Sequence, residues 1–597
     1  MPFGTEMDWI LILECILLLV ICLLHSFPEG HYANFYAING TFQNFNPIRR
    51  LLDGQIPYKD FADYLGLGHL YVGALLTFLF GGNYQSSLMA FSFLSFVCLA
   101  MLALVIGKSV LNSWKIAVGL TNILLIILLL QRTPPTNEMA FSLCSALGTG
   151  NSARFVRGLV LPLTIAMFRL GVHIYGRKRA VIEKYKISKC LPAIGAGCLA
   201  GASFAWSNDY GASCFVCIAI MTGVISFARK RKVVLALIDM LAEMAASGLS
   251  LILTVEILTL GHWRQWFKSA LGTGSYQSWY YSASRSYYLY NVDFSYIMMI
   301  QALMTIAYII FLFNARGSKV AIFRYGIPAF ANMACFCAVN EYQLLSGGSN
   351  REVALSVLFL SIAYEVANIM STRRENAAMR KGILLTSLIV SLAWTISTTK
   401  DEMVFQISGP KEGKYISCMG GNMTALYEDL ETTHDFLKGE KFFSTYASAQ
   451  ELMEDTFQPS GTDYIIHVLG DEQREDYLTD FINGDFTYAA TIRKEYTEWE
   501  YWVERANWFF YRELYRNWHP VFSNSYEMYW ERNKNCDENT WSSDYDVQIE
   551  AIGDGAARLI LQADKSVNGI ADVYIDYSVD KDPESELGSV HISGIVI

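Results

Sequence analysis

The feature that most constrains this chain is a series of apolar runs with clusters of lysine and arginine at every second link between them. Runs of roughly 17–25 apolar residues can cross a bilayer. They are read near 9–26, 87–107, 116–131, 155–174, 190–207, 211–228, 233–259, 295–313, 320–338, 353–370 and 382–398. Spans in lipid must satisfy their own backbone, so these are helices. The basic links hold Lys108 and Lys115, GRKRAVIEKYKISK (176–189), RKRK (229–232), Arg316, Lys319 and Arg324, and STRRENAAMRK (371–381). Positive residues stay on the cytoplasmic side. The links 27–86, 132–154, 208–210, 260–294 and 339–352, with everything after about 399, then face outward. Alternation holds throughout if LYVGALLTFLFGG (70–82) lies in the interface and does not cross. The expected topology is about eleven spans, N-terminus inside and C-terminus outside.

Composition agrees with this layout. Of 597 residues, 53% are hydrophobic and 14% aromatic, which excludes a disordered chain and a nucleic-acid partner. The net charge of −10 gathers in the polar last third. The first run is read as a retained helix, since it has no basic start, contains Glu14 and meets no small-residue cleavage site. Most of the 12 cysteines lie in or beside the spans, as small buried hydrophobes do. Cys418 and Cys536 are the two that fall in the outer tail.

The expected organisation is a membrane domain over 1–399, with a long first outer loop at 27–86, and an extracytoplasmic α+β domain over 400–597. In the tail, ALYEDLETTHDFLKG and SAQELMEDTF carry helical spacing, and TDYIIHVLG reads as a buried strand. YTEWEYWVERANWFFYRELYRNW (496–518) reads as one amphipathic helix, and alternating strands follow from about 545.

The first outer loop is far longer than an ordinary connection. It carries Glu29, His31, Asp53, Asp60, Asp63 and His69 among tyrosines and glycines. Solvation alone accounts for some carboxylates, and Asp53 and Asp63 are read as solvated. The second outer loop adds Glu138, Arg154 and Arg157, and an arginine at the outer end of a span suits a phosphate. WSNDYG (206–211) places Asp209 in a link so short that it must lie near the membrane face, where an ionisable group is a functional candidate.

PEGHYANFY after the first span, followed by GQIPYKDFADYLGLGHLY, resembles the paired first-loop motifs of the type-C (GT-C) membrane glycosyltransferases. The layout is similar too: a long first outer loop, about eleven spans, basic inner links and an outward C-terminal domain. Two positions depart from the pattern. Pro28 stands where the family has its first acid, and Gly68-His69 replace a proline-leucine pair. The resemblance implies a mainly α, GT-C-like polytopic fold and transfer of a sugar from a polyprenyl-phosphate carrier to a cell-envelope glycan, lipid or protein at the outer face of the plasma membrane. It implies Glu29 and Asp60 as catalytic acids. Substrate contacts are expected from His31, Tyr58, His69, Glu138, Arg154, Arg157 and Asp209. It leaves room for a divalent metal ion and assigns it no ligand. The competing classes are a flippase for lipid-linked glycan and a non-enzymatic envelope assembly protein.

Overall fold

The computed structural model describes residues 9–33, 40–63, 65–130, 153–182, 190–282, 292–346, 351–372, 377–497, 499–533, 545–553 and 556–563. Every apolar run expected to span is helical. α1 is Trp9–Ser26, α2 Gly40–Leu52, α3 Gly68–Phe80, α4 Tyr84–Leu111 and α5 Trp114–Leu130. A short helix, α6 (Arg154–Gly158), leads into α7 (Val160–Ile182), α8 (Leu191–Trp206), α9 (Tyr210–Lys230) and α10 (Val233–Leu258). α11 (Trp263–Ser282), α12 (Val292–Asn314), α13 (Ile327–Ser346), α14 (Arg351–Thr372) and α15 (Ala377–Ser408) complete the bundle. Among the described residues, 8 helices are long and apolar enough to cross a membrane. Trp114–Leu129, Leu191–Trp206 and Met298–Asn314 are shorter apolar helices at the other expected spans, and Gly68–Phe80 is the apolar helix of the first loop. The chain is a mainly α polytopic membrane protein with an α+β C-terminal region.

Contacts sort the links into two ends. At one end Arg229 donates to the carbonyl of Gly317 at 2.7 Å and Arg231 to that of Phe313 at 2.9 Å, so two basic links meet. At the other end the first loop and the tail share a sheet. β1 (Tyr32–Ala33) pairs in parallel with β3 (Gly421–Met423), Tyr32 opposite Asn422, and β2 (Lys414–Ile416) closes the other edge of β3. Lys268 of α11 reaches Glu472 at 2.8 Å, so the link after α10 joins the same end. Two links read as basic thus meet at one end, and the first loop, the tail and the link after α10 meet at the other.

The tail differs from expectation in local detail. α15 runs on to Ser408, past the expected boundary at 399/400. The segment around Ile465 is a single 3-10 turn, with only an isolated bridge between Tyr446 and Tyr464. The aromatic stretch breaks into Trp499–Ala506 and Trp508–Asn517. Asn507, at the break, donates to the Val503 carbonyl through both its backbone N–H at 3.0 Å and Nδ2 at 2.9 Å.

The chain divides into two compact units. One comprises 1–507 and 520–531, and the other 508–519 and 532–597. In the second, Tyr545–Gly553 and Ala556–Ala563 form an antiparallel hairpin. In the first, β4 (Phe442–Ser444) pairs in parallel with β5 (Tyr488–Ile492), and β5 pairs antiparallel with residues 527–531.

Two acids are buried in and beside this sheet. Burial lifts the Glu451 carboxyl to about 8 and that of Glu527 to about 7. Each stays protonated in the folded tail where the unfolded chain has already released its proton. Stability from these groups is therefore full below the ordinary carboxylate range and falls as pH rises toward 8. Hydrogen exchange of the β4 and β5 amides, corrected for intrinsic rates, should show weaker protection at about pH 8 than at about pH 5. Equal protection would mean the two acids are not held neutral.

Candidate functional site

The second motif block of the first loop is a tight, self-bonded turn. Asp60 accepts from the Ile56 N–H through Oδ2 at 2.8 Å, and the Tyr58 hydroxyl donates to the Asp63 carbonyl. Tyr58 is buried with Leu67, Ala205, Val255 and Trp266, so an aromatic anchors the turn to α8 and α10. The following Gly66–Gly68 segment docks on the α8–α9 link. Leu67 N–H donates to the Ala205 carbonyl and Asn208 N–H to the Leu65 carbonyl, both at 3.0 Å. Gly66 has φ +126, and a Cβ there would lie 2.6 Å from Ser207 Cα and 2.7 Å from the Trp206 carbonyl oxygen. Only glycine suits such an approach.

That docking assembles a buried ionic cluster. Asp209 caps α9 with Oδ1, accepting from Tyr210 N–H at 2.7 Å, and its Oδ2 takes a hydrogen bond from Arg157 Nη1. Both side chains are almost completely buried. His69 Nε2 stands 3.6 Å from Asp63 Oδ2, and His69 Nδ1 lies 3.4 Å from the Trp206 carbonyl oxygen. Asp63 Oδ1 accepts from Leu65 N–H at 2.9 Å. Burial, reinforced by the charge of Asp463, lifts the Asp63 carboxyl to about 7 against the pull of Leu65 N–H and Arg157. Burial and the Arg157 charge hold His69 down at about 4, a neutral imidazole. Beside this cluster, the quarter-exposed Arg154 donates to the buried Glu352 of α14 at 2.9 Å.

The tail closes the cluster from the other side. Arg50 of α2 donates through Nε and Nη2 to Asp463 Oδ1 at 3.0 and 2.7 Å, and through Nη2 to the Gln458 carbonyl at 2.8 Å. Ala62 N–H donates to the Gly461 carbonyl at 3.1 Å. Between loop and tail lies a small polar cavity walled by Gln43, Asp63, Thr462, Asp463 and His467.

Farther into the bundle, an apolar groove runs between α7, α8, α9 and α13, lined by Thr164, Phe168, Leu199, Met221 and Phe330 among others. One wall is the π-helical segment Ile322–Gly326, a geometry enriched at functional sites. Thr164 follows Arg157 by seven residues, roughly 10 Å of helical rise.

The residues expected from the sequence are thus only partly brought together. Arg157, Asp209 and His69 join one cluster, with Arg154 beside it. Tyr58 is a core residue and Asp60 an exposed turn cap. Glu29 is half-buried in the 3-10 turn Phe27–Gly30, whose chain Gln85 fixes by donating to the Glu29 carbonyl at 2.8 Å. His31 turns to the end of α15, stacking on Phe405 at 3.5 Å with Nε2 2.7 Å from Glu402 Oε2. Glu138 and Cys536 lie outside the described residues. Sequence reasoning missed Arg50 and Glu352 as partners, and it read Asp63 as solvated where the structure buries it. Its one legible signal is the apolar flank of Ala62 and Leu65. Asp53 is exposed, as read. Among the described residues no group of three His, Cys, Asp or Glu side chains is placed to hold a metal ion.

No family model and no curated protein matches the chain. Among solved structures it is similar to the archaeal oligosaccharyltransferase AglB from Archaeoglobus fulgidus, in complex with an inhibitory peptide and a dolichol-phosphate. The likeness covers 88% of this chain and 74% of that one, at 12% identity and a TM-score of 0.35.

Proposed function

We propose that the protein is a membrane glycosyltransferase that takes a sugar from a polyprenyl-phosphate carrier and passes it to an acceptor hydroxyl at the outer face of the membrane. The observation that carries this reading is the buried cluster of Asp63, His69, Arg157 and Asp209, assembled from the first loop, α6 and the α8–α9 link at the end of the bundle where the tail also packs. A transporter path needs no such closure, and an assembly protein needs no acid so buried beside a neutral histidine.

The chemistry fits the parts. The acceptor hydroxyl is a weak nucleophile, and a carboxylate of the first loop takes its proton as the bond to the sugar forms. The departing phosphate needs cations or oriented donors. Arg157 is committed to Asp209, whereas Arg154 keeps a quarter of its side chain exposed and is the better phosphate ligand of the two. The carrier's isoprenoid chain would lie along the apolar groove lined by Thr164, Phe168 and Phe330. A divalent ion, if bound, would shield the phosphate charge. The acceptor is a glycan, lipid or protein of the cell envelope.

The test is a transfer assay in proteoliposomes with a panel of polyprenyl-phosphate monosaccharides. Movement of labelled sugar from the lipid to an acceptor is expected. Lipid that crosses the bilayer with its sugar intact would favour the flippase reading and remove this one.

A further inference from the structure

The sugar-transfer reading leaves open which acid takes the proton, and the inference drawn here rests on that reading. Three buried aspartates meet where loop, bundle and tail converge. Asp209 holds Arg157, and Asp463 holds Arg50. Among the described residues Asp63 has no lysine or arginine partner. One of its oxygens accepts from Leu65 N–H and the other faces the His69 imidazole at 3.6 Å. It is also the acid of the first loop that lines the polar cavity against the tail. Asp60 spends its carboxylate on the Ile56 turn, and Glu29 is not among the residues that line this cavity. A carboxylate neutralised by a guanidinium is a poor base. One held by a single N–H at the edge of a polar cavity is free to exchange a proton.

We infer that Asp63 is the proton acceptor of the transfer, and that the cavity it shares with Thr462 and His467 of the tail admits the attacking hydroxyl of the acceptor. In the step, the acceptor oxygen bonds to the anomeric carbon while the carbon–oxygen bond to phosphate breaks. The phosphate leaves with the bonding electrons, and the hydroxyl proton passes to Asp63 Oδ2. Water removes that proton once product departs. The tail thereby becomes a wall of the acceptor site, which explains why a segment near residue 460 is fastened to the loop by Arg50 and the Gly461 carbonyl.

The groups facing the Asp63 carboxylate are His69 from α3, Arg157 from α6, Asp463 from the tail and, beyond His69, Asp209. His467 and Tyr464 stand across the cavity, with His467 3.0 Å from Gln43 and held neutral, its pKa down at about 3. A base whose carboxyl titrates near 7 makes transfer rise with pH through that range.

The experiment compares wild type, Asp63→Asn, Asp63→Glu and Glu29→Gln in the same liposome assay from about pH 5 to about pH 9. Asparagine keeps the oxygen that accepts from Leu65 N–H, and size-exclusion profiles check folding. Asp63→Asn should lose about 100- to 10,000-fold in kcat with a flat pH profile. Asp63→Glu should regain part of both rate and slope, and Glu29→Gln should keep the slope. An Asp63→Asn protein that keeps the acid limb while Glu29→Gln loses it would overturn this inference and leave the transferase standing. Wild type inactive on every donor, while still folded, would end both.

Discussion

Arg157→Ala is expected to be the most damaging single substitution in the membrane domain. The arginine and Asp209 are 3% and 0% exposed, and the substitution strips a buried carboxylate of its guanidinium. Breaking one side of a buried pair costs about 3–5 kcal/mol, a large share of the stability of a typical protein. The loss comes from the orphaned charge, so neutralising the partner should recover part of it. Asp209→Asn keeps the oxygen that caps α9 through Tyr210 N–H while removing the charge. The double variant Arg157→Met/Asp209→Asn should therefore unfold in detergent at a higher temperature than Arg157→Met alone. Single variants as stable as wild type would mean the pair does not lock the α6 end to the α8–α9 link.

Gly66→Ala should cause the next largest loss. The residue combines φ +126 with a Cβ position 2.6 Å from Ser207 Cα and 2.7 Å from the Trp206 carbonyl oxygen, atoms that cannot swing aside. Backbone strain at such a conformation is worth about 1–3 kcal/mol, and forcing an atom into a packed contact adds a similar amount. Gly54, at φ +87, has open space around its Cβ position, so Gly54→Ala carries the strain alone. Thermal unfolding of the two variants separates the terms. The gap between them measures the docking of the first loop on the α8–α9 link, and equal costs would contradict that docking.

Most of the fold was legible because lipid imposes simple rules. Long apolar runs announce their helices. The alternation of RKRK and its counterparts sorted the links into two ends, which Arg229 with Gly317 and β1 with β3 now bring together. The site was less legible because its members are made by partners far away in the chain. Nothing near Asp63 says that the tail around Gly461 will bury it. Nothing near His31 says that Phe405 and Glu402 wait at the end of α15. Arg157 and Asp209 were each recognisable as charged groups near a membrane face. Their sequence spacing gives no hint that each neutralises the other. Tyr58 shows the same limit: the chain offers it as a substrate contact, and the fold buries it in the core, where it shapes the turn.

The proposed transfer requires that a lipid-borne donor reach this cluster from within the bundle. The most direct measurement is photo-crosslinking with a polyprenyl-phosphate that carries a diazirine in its isoprenoid chain, followed by peptide mapping. Label is expected on α7, α8, α9 and α13 around Thr164, Leu199, Met221 and Phe330, and it should be competed by unlabelled polyprenyl-phosphate monosaccharide. Label confined to the lipid-facing surfaces of α10 and α15, and indifferent to competitor, would contradict the claim.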